Sequence, residues 1–182
     1  MELPQVPIAT RKHLLNIGLF LALMWGVYEA IMGPDLVSDL RDFTGRYGAY
    51  LLLISLLFTP LSQRWKWVKR HVSMRRNIGV WGFIDATLHL LIWITLEFYY
   101  DWQLMLDEIA GNLFILLGIL AFVLLLPLAL TSNHRAVKYL GYRKWQMLHV
   151  LTYVAVPAVM AHHFMAQKTA MLEPILMGLV LM

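Results

Sequence analysis

Seven histidines and no cysteine define the chemistry open to this chain. Without a thiolate there is no disulfide, no iron–sulfur cluster, no thiolate zinc site and no covalently attached c-type haem, so metal chemistry falls to His, Asp or Glu. Four histidines, His89, His149, His162 and His163, lie inside apolar stretches, where an ionisable side chain costs free energy unless it is paired. His13, His71 and His134 belong to interfacial or polar segments. Two helices that each present histidine to a shared interior can place one imidazole above and one below a flat tetrapyrrole, holding iron in a six-coordinate, electron-transferring haem. Structural histidines bonded to backbone carbonyls, and a proton relay, are the competing readings. Asp85 precedes His89 by four residues and shares its helical face; it either orients the His89 ring as an acceptor or stays protonated and bonds to another neighbour.

Helices must position these residues, and the composition names their solvent. Of 182 residues, 60% are hydrophobic and 14% charged, with a mean hydropathy of +0.64; an ordinary soluble domain carries about 25% charged residues. A two-domain soluble enzyme is excluded. Apolar segments run from Leu14 to Met32, from about Tyr47 to Leu61, from Ile78 to about Tyr99, from Ile109 to Leu130, and from Trp145 to about Ala166. After Glu173-Pro174 the eight residues Ile175 to Met182 are too few, at about 1.5 Å each, to cross a core of about 30 Å. The expected fold is an all-α integral membrane protein, a bundle of five full transmembrane helices plus a truncated sixth, forming one domain over residues 1–182.

Lys and Arg set the orientation. Two precede the first segment, six lie between Gln63 and Arg76 and four between Thr131 and Lys144, against three in the alternate connections (Arg41, Arg46 and Lys168). The positive-inside rule then places the amino terminus in the cytoplasm. It also explains the basic run Arg64 to Arg76 and the pI near 9.4 by topology and anionic lipid, without nucleic acid. No Gly-rich dinucleotide fingerprint is present, and the longest inside connection is too short for a nucleotide-binding domain. If the histidines hold haem, its electrons come from a separate reductase or from quinol.

Phe43-Thr44-Gly45-Arg46, Thr59-Pro60-Leu61, Arg75-Arg76-Asn77-Ile78-Gly79-Val80-Trp81 and Ala86-Thr87-Leu88-His89-Leu90 resemble successive signatures of the MsrQ (YedZ) family, in the family's order. Leu130-Thr131-Ser132 and Leu140-Gly141-Tyr142-Arg143-Lys144-Trp145-Gln146-Met147-Leu148-His149, followed by Tyr153 and His162, extend the likeness over residues 14 to 168. The resemblance implies a ferric reductase-like transmembrane domain in the bacterial inner membrane. It also implies a haem-binding subunit that passes electrons from the cytosolic side to a periplasmic molybdenum-cofactor methionine sulfoxide reductase.

By position, His89, His149 and His162 match the family's haem-associated histidines. Related oxidases carry two histidines fourteen apart on their third helix, and His89 resembles the outer one, because position 75 is arginine. The resemblance thus implies one haem b between His89 and His162 on the periplasmic half. His149 remains as a ligand of a second haem or part of an inner site that, with Arg75 and Arg76, resembles the place where the family binds FMN, whose phosphate a guanidinium pair would suit. On an ideal helix His163 lies about 40° from the face of His149 and His162 about 140°, so His163 is the alternative ligand unless Pro157 resets the register. Asp85 is not a usual family residue at its position. A haem-binding structural subunit, a stand-alone ferric reductase and a transporter or proton channel are the other functions considered.

Overall fold

The computed structural model describes residues 7–166, and all regular structure among them is helical. Helix α1 spans Ile8–Met32, α2 Leu36–Arg64, α3 Lys66–His71, α4 Arg75–Ile92, α5 Trp102–Gly111, α6 Leu113–Leu130, α7 His134–Leu140, α8 Tyr142–His149 and α9 Thr152–Ala166. A 3-10 turn, Val72–Met74, joins α3 to α4, and a single π-helical stretch, Trp93–Glu97, continues α4. Four stretches are long and apolar enough to cross a membrane: Ile8–Met32, Lys66–Glu97, Leu113–Leu130 and Tyr142–Ala166. Large apolar side chains stay exposed along them, Leu14, Ile17, Phe20 and Leu21 on α1 and Leu116, Leu120 and Val123 on α6 among them, as lipid-facing surfaces require.

Several expected boundaries shift. The second apolar segment is the middle of a longer helix: Asp35 caps α2 by accepting from the Ser38 N–H at 3.2 Å, and the polar stretch read as an outer loop up to Arg46 is helical. Polarity marked the limit of the apolar run and not the limit of the helix. The expected span from Ile109 begins at Leu113 instead, because the backbone turns extended at Asn112 and separates α5, capped by Asp101, from α6. The span from Trp145 belongs to one stretch, Tyr142–Ala166, that tightens at Val150 and Leu151, where the Leu151, Tyr153 and Val154 N–H groups bond three residues back, and Pro157 follows inside α9. The expected truncated sixth helix, Ile175 to Met182, falls outside the described residues.

Helix α2 packs along α4 and α6 packs along α9, and α2 also touches α9, so α2, α4, α6 and α9 form the inner bundle. Leu52, Leu56, Leu125, Leu128, Ala155 and Val156 fill its core. The crossing of α2 and α4 is a close backbone approach: a Cβ at Gly82 would lie 2.9 Å from Leu52 Cγ and 3.1 Å from Leu52 N. A methyl group there cannot be relieved by a rotamer change, and overpacking of this kind costs about 1–3 kcal/mol. Gly82→Ala is accordingly expected to lower the thermal midpoint in detergent. Gly18→Ala, whose Cβ would meet nothing within 4 Å, is expected to hold or raise it through better helix propensity.

Candidate functional site

The two ends of the bundle differ in charge. One end gathers the start of α1, the end of α2, α3 and the links around α7, and carries most of the Lys and Arg; the other carries Asp35, Asp39, Asp42, Glu97, Asp101, Asp107 and Glu108. His89 and His162 meet toward the acidic end. Their ring centres are 6.1 Å apart and their planes 76° from parallel. His89 Nδ1 lies 3.0 Å from the carbonyl oxygen of Arg41 on α2, and His162 Nδ1 lies 2.6 Å from that of Phe114 on α6. A carbonyl only accepts, so each Nδ1 carries the proton and each Nε2 keeps its lone pair for a metal.

With metal–imidazole bonds of about 2 Å, two imidazoles sharing one ion would have ring centres about 6 Å apart, a separation that the 6.1 Å between His89 and His162 matches. Among the described residues no three His, Cys, Asp or Glu side chains converge to hold a metal. A metal held by these two imidazoles would need its other donors from a bound ligand, and a tetrapyrrole would supply them. Arg41 strengthens this corner, because its guanidinium pairs with Glu97 at 2.6 Å and with Asp42 at 3.1 Å and so ties α2 to the end of α4.

The neighbouring candidates do not join the pair. His163 is buried, and its Nε2 has no hydrogen-bond partner among the described residues, while His162 is the ring turned to α6 and His89. The tightened turn at Val150 and Leu151 and Pro157 both lie between His149 and His162, where the ideal-helix register is disturbed. Asp85 does not orient His89: the ring reaches across to the α2 backbone instead of down its own helix, and both Asp85 oxygens are buried without a partner among the described residues. An unpaired buried polar group costs about 1–3 kcal/mol, and an apolar replacement of similar shape removes that cost. Asp85→Leu is expected to raise the thermal midpoint of the purified protein, and an unchanged or lower midpoint counts against this account of the residue.

At the basic end, a cavity of about 840 Å³ opens among α2, α4, α6, α8 and α9. Lys12, Arg75, Arg76, Arg143, His134 and His149 line it. Arg75 donates to the Thr59 hydroxyl, and Arg76 lies 3.3 Å from His134 Nε2. His149 stacks on Trp145 with ring centres 4.1 Å apart. The Thr131 hydroxyl donates to the Pro127 carbonyl at 2.6 Å and presents its oxygen to His149 Nε2 at 3.1 Å. Cations stand on the rim of the cavity, and the stacked Trp145 and His149 form part of its wall.

A family model described as the ferric reductase like transmembrane component matches residues 44–160. The protein-methionine-sulfoxide reductase heme-binding subunit MsrQ of Cronobacter sakazakii is 36% identical over 183 residues, covering 98% of this chain and 90% of that protein. The chain belongs to the MsrQ family. Other MsrQ relatives agree: the heme-binding subunit of Caulobacter vibrioides is 35% identical across 87% of this chain and 75% of its own length, and that of Rhodospirillum rubrum 34% identical across 94% and 85%. The chain is a multi-pass membrane protein of ferric reductase-like type. Within this MsrQ sequence the residues that sequence reasoning missed are the partners of the histidines. They are the Arg41 and Phe114 carbonyls, the Arg41–Glu97 pair, and Thr131 under His149. Backbone acceptors leave no side-chain signature, and only Thr131 stood within a noted motif.

Proposed function

We propose that this chain is a b-type cytochrome subunit that relays electrons across the bacterial inner membrane to a methionine sulfoxide reductase. The observation that carries the reading is the His89–His162 pair, with two Nε2 lone pairs, both Nδ1 protons held by backbone, and ring centres 6.1 Å apart. His89 and His162 hold the haem iron in this reading. Haem bound there supplies one-electron transfer within the membrane. The two carbonyls fix the ring orientations and favour the neutral, ligating tautomer. The apolar helices around the pair exclude water, and α2 serves as a fifth crossing that carries the Arg41 carbonyl to the site.

The basic end faces the cytoplasm, with the amino terminus there, and receives electrons from a flavin reductase or from quinol. Arg75, Arg76 and Arg143 bind the phosphate of FMN in the cavity, with Trp145 and His149 along its wall. The acidic end faces the periplasm and meets the molybdenum-cofactor subunit that repairs oxidised proteins. Names of the MsrQ relatives support the haem and the reductase partner.

Proteoliposomes with reduced flavin enclosed and an impermeant acceptor outside test the relay. Electron delivery that depends on His89 and His162 is expected. Delivery unaffected by their loss contradicts the reading, and efficient reduction of chelated ferric iron with no response to the partner reductase assigns the chain to stand-alone iron reduction instead.

A further inference from the structure

His89 and His162 are seated in the same way on two different helices. A Cβ at position 45 would lie 2.8 Å from His89 Nδ1 and 2.9 Å from its Cε1; a Cβ at position 118 would lie 2.8 Å from His162 Nδ1 and 2.9 Å from its Cε1. Each glycine stands four residues after the carbonyl that its histidine uses, Gly45 after Arg41 and Gly118 after Phe114. In an α-helix the carbonyl of residue i already accepts the N–H of residue i+4. Each imidazole therefore adds to a carbonyl that already accepts that glycine's N–H, with the Thr44 hydroxyl a further donor 3.2 Å from the Arg41 oxygen, and it reaches the oxygen because the glycine has no side chain.

From this we infer that Gly45 and Gly118 are positioning residues for the iron site, matched seats that hold both imidazoles in the Nδ1–H tautomer with their planes crossed. The inference deepens the haem reading above and rests on it. An Nδ1–H bonded to a carbonyl makes Nε2 a more basic ligand, which favours ferric iron and lowers the potential. Crossed ring planes leave the two iron d orbitals that overlap the imidazoles close in energy, which gives a single strongly anisotropic low-spin ferric signal; parallel planes give a rhombic one. A methyl group on either seat pushes the ring away from its carbonyl, since the helix backbone beneath cannot yield. Neither property depends on how tightly the bundle packs elsewhere, so the two readouts separate seating from general stability.

The test is Gly45→Ala and Gly118→Ala in the full chain purified with bound haem, beside Gly18→Ala, followed by redox potentiometry and low-temperature electron paramagnetic resonance. Both seat variants are expected to shift the midpoint potential upward and move the signal toward the rhombic form, with Gly18→Ala matching the unsubstituted protein. Haem-loaded seat variants with unchanged potential and signal overturn the inference. If a seat variant fails to accumulate with haem, the unsubstituted protein decides: a strongly anisotropic signal supports the crossed seats, and a rhombic signal overturns them. A chain that carries no haem when purified refutes the haem reading and the seats together, and the missing absorption band tells that failure apart.

Discussion

His89→Ala and His162→Ala are each expected to abolish haem binding, while His149→Ala and His163→Ala leave the haem absorption of the purified protein intact. Loss of an outer partner of a metal-bound histidine already costs about 10–100-fold in metal affinity, and loss of an axial ligand itself exceeds that. His149 is held by Thr131 and stacked on Trp145 at the other end of the bundle, 13 residues and thus about 20 Å of helical rise from His162. His163 contacts neither the pair nor its carbonyls through a hydrogen bond among the described residues. Haem content per mole of each variant, measured against the same detergent preparation, checks the set. Retention in His162→Ala with loss in His163→Ala or His149→Ala reverses the assignment.

Reversing charge at the basic cavity is the second large effect. Arg76→Glu with Arg143→Glu is expected to weaken FMN binding by at least tenfold while the haem spectrum stays unchanged. A hydrogen bond to a charged group contributes about 1.5–3 kcal/mol, and 1.4 kcal/mol is about tenfold in affinity. Two such groups are replaced here by charges that repel a phosphate. Arg75 is left in place, because its bond to Thr59 joins α2 to α4 and its loss confounds binding with packing. Fluorescence titration with FMN measures the affinity, and equal affinity in the double variant removes the cavity as the flavin site.

The helices were legible because apolar runs of membrane-spanning length leave few alternatives. Their ends were not, for two reasons visible in particular residues. Asp35 and Asp101 start helices inside stretches whose polarity reads as loop, and Asn112 breaks a stretch whose apolarity reads as continuous. The histidines announced themselves by their type and depth, and family spacing singled out His89 with His162. The orientation of those rings was hidden, because it depends on the carbonyls of Arg41 and Phe114 and on space left by Gly45 and Gly118, and hydrogen bonding to backbone carries no residue code. Asp85 misled for the opposite reason: the helical period puts it on the His89 face, but sharing a face does not decide which way the imidazole turns.

The most direct test of the account is the number of haems per chain in detergent-purified protein, from a dithionite-reduced difference spectrum and a haem assay, with flavin quantified on the same sample. One six-coordinate b-type haem per chain is the predicted result, with flavin as a separate occupant of the basic cavity. Two haems per chain would contradict it by making His149 a ligand, and a chain with no haem would leave the His89–His162 pair without the iron that its geometry fits.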